Sequence, residues 1–167
     1  MATIMGGTLD KLLSHMPNGS GHNLPYAEVR EAQIAALDER LQGRIDKIKL
    51  VRHRADEAGI TEIRSLEDVV PLLLPHTAYK SYPESLLTEK KWDRLTKWLG
   101  TVASHPVDGI DLTGIDEIDD WVEACARAGH FVACSSGTTG KSAMLIASQQ
   151  DMAWAQRDLI DVFAWGS

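Results

Sequence analysis

Little in this chain points outside a folded, water-facing protein. Only two cysteines, Cys125 and Cys134, occur in 167 residues. They form no C-x-x-C or zinc spacing and imply no disulfide framework. Both are expected to be buried thiols in a reducing cytosol, which places the protein in the cytoplasm. Positive charge is in deficit: 17 Lys and Arg stand against 24 Asp and Glu, a net charge of −7. A nucleic-acid partner would need a basic footprint that this balance does not supply. No apolar run approaches the ~20 residues of a membrane span. Met1 to Asp10 lacks the charged start and apolar core of a secretory signal. The six histidines are scattered, with no His-Glu-x-x-His and no paired spacing, and no Ser-His-Asp constellation can be assembled.

What is present is globular. Hydrophobic residues make up 44% and charged residues 25%, near the average for a domain with one core. Thr8 to His15 can form a short helix, and Met16 to Gly21 is dense in turn formers. Residues 1–24 are read as an N-terminal tip and loop, and 25–167 as the domain proper.

Pro25 opens the strongest helical signal. Ile34, Leu37, Leu41, Ile45, Ile48, Val51, Ala55 and Ala58 step by three and four, predicting one long helix that stops at Gly59. Arg44, Lys47, Lys49, Arg52, His53 and Arg54 share its other side with Asp46, Asp56 and Glu57, as on a solvated face. Ser65 is placed to cap a helix over 66–74, ended by Pro75. Lys80 to Pro83 reads as extended, because proline restricts the residue before it. Trp92, Leu95, Thr96 and Leu99 predict a helix ended by Gly100, and 105–114 reads as loop. Asp116, Glu117, Asp119 and Asp120 are an acidic start to a helix through Trp121, Val122, Cys125 and Ala126, favourable at the positive end of its dipole. Metal ligation by these acids is disfavoured, since they do not converge. Most of the five tryptophans are expected in the core.

The chain's most informative stretch is Cys134-Ser-Ser-Gly-Thr-Thr-Gly-Lys-Ser142. Gly137 and Gly140 permit positive φ and close approach of a ligand. Ser135, Ser136, Thr138 and Thr139 supply hydroxyls, and Lys141 a cation. Successive N–H groups in such a turn make an anion nest suited to phosphates. Apolar runs at 131–134 and 143–147 predict strands on either side. Ser148 with Asp151 three residues on predicts a helix start, continuing through Met152, Ala155, Leu159, Val162 and Phe163. His130, just before the first strand, reads as a strand-end surface residue.

Two phosphate motifs compete for this loop. Gly140-Lys141-Ser142 is the second half of the P-loop pattern, but Ser135 stands where its first glycine belongs. That motif also requires a helix directly after the Ser/Thr. Strand–loop–strand–helix fits the other one better. Ser135-Ser136-Gly137-Thr138-Thr139-Gly140-Lys141 resembles the phosphate-binding motif of the adenylate-forming acyl-CoA synthetase superfamily, in its phenylacetate-CoA ligase flavour. Ser142 replaces the proline usual there, and Ala143 a frequent basic residue. The order Ala58-Gly59-Ile60, Ser65 to Pro71, then Lys80-Ser81-Tyr82-Pro83 also resembles the segment upstream of that loop in such ligases.

The resemblance covers roughly residues 26 to 165 and implies an α+β, mostly helical fold. The chain would be the N-terminal segment of an AMP-binding domain, with a strand–phosphate loop–strand hairpin. It implies an ATP-dependent, AMP-forming carboxylate–CoA ligase using ATP, Mg²⁺ and coenzyme A as co-substrate on a small carboxylic acid, aryl acids being one option. Ser135, Ser136, Gly137, Thr138, Thr139, Gly140 and Lys141 would bind the nucleotide, with Lys141 also catalytic. Acyl pocket and lid would belong to a C-terminal remainder, so this segment alone is expected to show no turnover. A degenerate P-loop protein and a helical interaction module that binds no nucleotide stand as alternatives.

Overall fold

The computed structural model describes residues 7, 8, 12, 24–135 and 141–165, without the side chains of 28 and 161–165. The helix expected over 8–15 and the loop over 16–21 therefore lie almost wholly outside the described residues. By its internal contacts the chain divides into two units, Met1–Leu73 with Trp154–Ser167, and Leu74–Ala153. The architecture is mixed α and β and mostly helical, with one two-stranded antiparallel sheet among the described residues.

In the first unit the long amphipathic stretch forms two helices, α1 (Tyr26–Arg44) and α2 (Lys49–Ala58). Pro25 caps α1 from outside with φ −56° and ψ 135°, one residue earlier than a first helical position. The single long helix is thus broken: Ile48 is extended, at φ −111° and ψ 96°. Gly43 and Asp46 are poor helix residues that weaken the ladder there. Periodic Ile45 and Ile48 hid the break, since apolar spacing reports a face and not hydrogen-bond continuity. Gly59 does end α2 in the left-handed region, φ 67°, and the Ile60 N–H reaches the Ala55 carbonyl at 2.9 Å.

After α2 comes a 3₁₀ turn, Glu67–Leu72, instead of the α-helix expected from Ser65. Pro71 lies inside it and has no N–H to give an α-helical ladder. The capping is also reversed. The Asp68 carboxylate accepts from the backbone N–H of Arg64 (2.9 Å) and Ser65 (2.8 Å). Those bonds hold the Asp68 carboxyl below its ordinary range. Arg54 Nε donates to the Pro71 carbonyl at 2.7 Å, while Arg52 pairs with Asp46 and His53 lies 3.6 Å from Glu57. The basic side of α2 therefore works as a helix face with local partners.

The second unit holds the larger core. A 3₁₀ turn at Ala78–Lys80 precedes α3 (Ser85–Thr88) and α4 (Trp92–Val102). Lys80 to Pro83 is thus not an extended run: Ser81 is helical in φ and ψ, and its N–H and hydroxyl both donate to the Ala78 carbonyl. The pre-proline restriction acts on Tyr82 alone. α4 continues through Gly100 to Val102. A helical glycine costs about 1 kcal/mol relative to alanine, less than burying Leu99 and packing Val102 returns. α5 (Ile118–Arg127) begins as its acids predicted. Asp120 accepts from the N–H of Glu117 (2.9 Å) and Asp116 (3.2 Å), which lowers its carboxyl's pKa.

Gly129, at φ 87°, turns the chain from α5 into β1 (His130–Cys134), which pairs with β2 (Met144–Ser148) antiparallel, Val132 opposite Ile146. Trp92, Leu95, Leu99, Trp121, Cys125 and Met144 form the core with Tyr82 and Leu86. The indole N–H groups are satisfied: Trp92 donates to the Ile115 carbonyl (3.1 Å) and Trp121 to Thr96 Oγ1 (3.0 Å).

α6 (Gln149–Trp165) starts as expected. Asp151 Oδ2 accepts from the Ser148 N–H (2.9 Å) and hydroxyl (2.7 Å), and the Asp151 N–H donates back to Ser148 Oγ (3.1 Å). Replacing Ser148 by alanine removes the two of these three bonds that use its hydroxyl. It should cost about 1 kcal/mol in urea unfolding. An unchanged midpoint would show that the cap is not needed to start α6. Among the described residues no helix is long and apolar enough to cross a membrane.

Candidate functional site

β1 and β2 lie on either side of the Ser/Thr/Gly segment in the sequence. Ladder pairing continues one step past Cys134 and Met144: the Ser135 N–H donates to the Ala143 carbonyl (2.9 Å). The Ala143 N–H returns to Ser135 Oγ at 2.8 Å. A hydroxyl that accepts one bond keeps its own hydrogen to donate. Ser135 therefore closes the base of the loop and still offers an O–H. Ser136, Gly137, Thr138, Thr139 and Gly140 lie outside the described residues.

At the far side Lys141 is described, half-buried. Its Nζ stands 4.1 Å from the centroid of the Tyr82 ring. The Tyr82 hydroxyl donates to the Ser142 carbonyl at 2.8 Å. Burial, with the nearby Cys134 and Glu84 as lesser causes, pushes the phenol above its ordinary pKa, so it stays a donor. Beyond Ser142 the chain enters β2; the helix that a P-loop would place directly there begins only at Gln149.

Tyr82 is the residue that sequence reasoning missed. It was visible only as the partner of Pro83 in an upstream stretch, and its bond to Ser142 spans 60 positions. No local pattern encodes such a contact.

The histidines also differ from expectation. His130 is not a surface residue but buried, 6% exposed. Its Nε2 bonds to the Asp108 carbonyl (2.9 Å), which requires Nε2–H, and its Nδ1 lies 3.2 Å from His105 Nε2. The rings stack with centroids 5.3 Å apart. Residues 105–108 fold over the start of β1, so two histidines 25 positions apart meet.

The acids around 116–120 have partners of their own. Lys90 Nζ bonds Asp116 (2.7 Å) and Glu117 (3.2 Å). Among the described residues no group of three or more His, Cys, Asp or Glu side chains could hold a metal ion.

Cys125 is fully buried, as expected, and burial pushes its thiol up to about 11. Cys134 is exposed, contrary to expectation, because it sits at the loop end of β1. Partial desolvation, then the Asp119 charge, raise its pKa as well. A disulfide reagent at pH 8 should modify Cys134 alone in the native protein and both thiols in urea. Two equally fast native reactions would contradict the burial of Cys125.

No family model, no curated protein and no solved structure matches this chain.

Proposed function

We propose that this chain carries the phosphate-binding loop of an ATP-dependent, AMP-forming carboxylate–CoA ligase. The observation that carries the reading is the hairpin itself. Ser135 and Ala143 pin the Ser/Thr/Gly segment at its base, and Lys141 stands at its exit with its ammonium on an aromatic face. Ser135 to Lys141 hold the β- and γ-phosphates of ATP through backbone N–H groups, hydroxyls and the Lys141 charge.

In the first step a carboxylate oxygen attacks the α-phosphorus and the bond to the β-phosphate oxygen breaks, releasing pyrophosphate. Negative charge grows on the departing group, and the Lys141 ammonium offsets it. In the second step the coenzyme A thiolate attacks the acyl carbon and AMP leaves. The acid is small, an aryl acid being one option. Mg²⁺ would ride on the phosphates, since no described acidic cluster offers it a site.

Calorimetric titration of the 167-residue chain with ATP, pyrophosphate and AMP, each with magnesium, tests this. ATP and pyrophosphate should bind, and AMP at least about tenfold more weakly, because it lacks the phosphates the loop recognises; tenfold is about 1.4 kcal/mol. Equal binding of AMP would overturn the assignment of the loop to the β- and γ-phosphates. Binding of none of the three would favour the helical interaction module.

A further inference from the structure

Tyr82 is 1% exposed, yet both chemically distinct parts of its side chain are turned on the segment that ends the loop. The hydroxyl holds the Ser142 carbonyl and the ring face holds the Lys141 ammonium, two consecutive residues served by one side chain. The ring is braced in turn. Trp98 meets it edge-on, with centroids 4.9 Å apart and planes at 68°. Trp98 Nε1 donates to Ser81 Oγ (2.9 Å), and the Ser81 hydroxyl donates to the Ala78 carbonyl (2.8 Å).

We propose that Tyr82 is a positioning residue for Lys141, holding a full positive charge at the exit of the loop for a polyphosphate ligand without neutralising it. This role rests on the phosphate-binding function proposed for the loop. The chemistry of the partner decides what Lys141 can do. A carboxylate beside Lys141 would have to be displaced by an incoming phosphate. A neutral ring attracts the ammonium through its quadrupole but leaves both its charge and its remaining N–H donors available. Among the described residues no Asp or Glu forms an ion pair with Lys141. A lysine side chain has large rotamer freedom to lose on binding, and a cation already held in place loses less of it. The Ser142 bond fixes the backbone from which that side chain springs.

The test compares wild type, Tyr82→Phe, Tyr82→Leu, Lys141→Met and the Tyr82→Leu/Lys141→Met double variant. The Lys141 ε-methylene signal is read by carbon-13 NMR without ligand, and inorganic pyrophosphate affinity by calorimetry. Tyr82→Phe keeps the ring and loses only the hydroxyl. The Lys141 signal should be shifted upfield by ring shielding in wild type and Tyr82→Phe, and return to the ordinary lysine position in Tyr82→Leu. Pyrophosphate affinity should fall by no more than about tenfold in Tyr82→Phe, the cost of one net hydrogen bond. The Tyr82→Leu and Lys141→Met losses should not add in the double variant, since the first acts through the second.

An unshifted Lys141 signal in wild type overturns the proposal, whatever pyrophosphate does and even if Tyr82→Leu fails to fold. Fully additive losses overturn it too. A shielded Lys141 in a chain that binds no pyrophosphate would instead remove the phosphate-binding function and with it the ligand named for Lys141.

Discussion

Replacing Lys141 by alanine is expected to weaken ATP binding about 10- to 100-fold, with a smaller loss of stability. A hydrogen bond to a charged group contributes about 1.5–3 kcal/mol, and each 1.4 kcal/mol is a factor of ten. On the folding side, the substitution removes one cation–π contact with Tyr82 at a half-buried position. Such contacts are worth about 0.5–1 kcal/mol when exposed and about 2 when desolvated. At this half-buried position the stability loss should be about 1 kcal/mol, so binding falls more than stability. Salt dependence gives a second handle, because screening acts on the charge that has been removed. ATP affinity should decline more steeply with ionic strength in wild type than in Lys141→Ala, measured by calorimetry. Equal affinity of the two proteins would take Lys141 out of the site.

The largest effect on stability is expected at Trp121. Its side chain is completely buried at the centre of the second unit's core, and its Nε1–H is satisfied by Thr96 Oγ1. Truncating a buried tryptophan to alanine costs about 3–5 kcal/mol through lost transfer energy and the cavity left behind. The Thr96 hydroxyl loses its partner as well. Whole domains are stable by only about 5–15 kcal/mol, so Trp121→Ala should remove a large part of the stability, visible as a shifted urea midpoint by circular dichroism. Trp121→Phe keeps most of the apolar volume and should fall between the two. A loss below about 1 kcal/mol in the alanine variant would show that Trp121 is not the core residue described here.

Local signals were the legible ones. Gly59 as a left-handed cap, the Ser148–Asp151 start of α6, the acidic start of α5 and the hairpin around the loop all depend on residues within a few positions of one another. Reading failed where a local pattern was ambiguous or a distant contact decided. The apolar steps through Ile45 and Ile48 were compatible with one helix or two, and the backbone at Ile48 chose two. Pro71 made a 3₁₀ turn out of a stretch whose capping signs pointed to an α-helix. Burial of His130 depends on residues 105–108, and the exposure of Cys134 on its place at the end of β1. Ser135 and Lys141 were legible as candidate loop residues, whereas the contact of Tyr82 with Ser142 was not, because it joins residues 60 positions apart.

The phosphate-binding role proposed for the loop is tested most directly by nitrogen-15 amide NMR of the chain titrated with magnesium ATP. Saturable shifts should concentrate in residues 134–142, including Ser135 and Lys141, with a second, smaller set at Tyr82 and its neighbours. Pyrophosphate should reproduce the same pattern. Shifts that leave 134–142 untouched, or none at saturating ATP, would contradict the account.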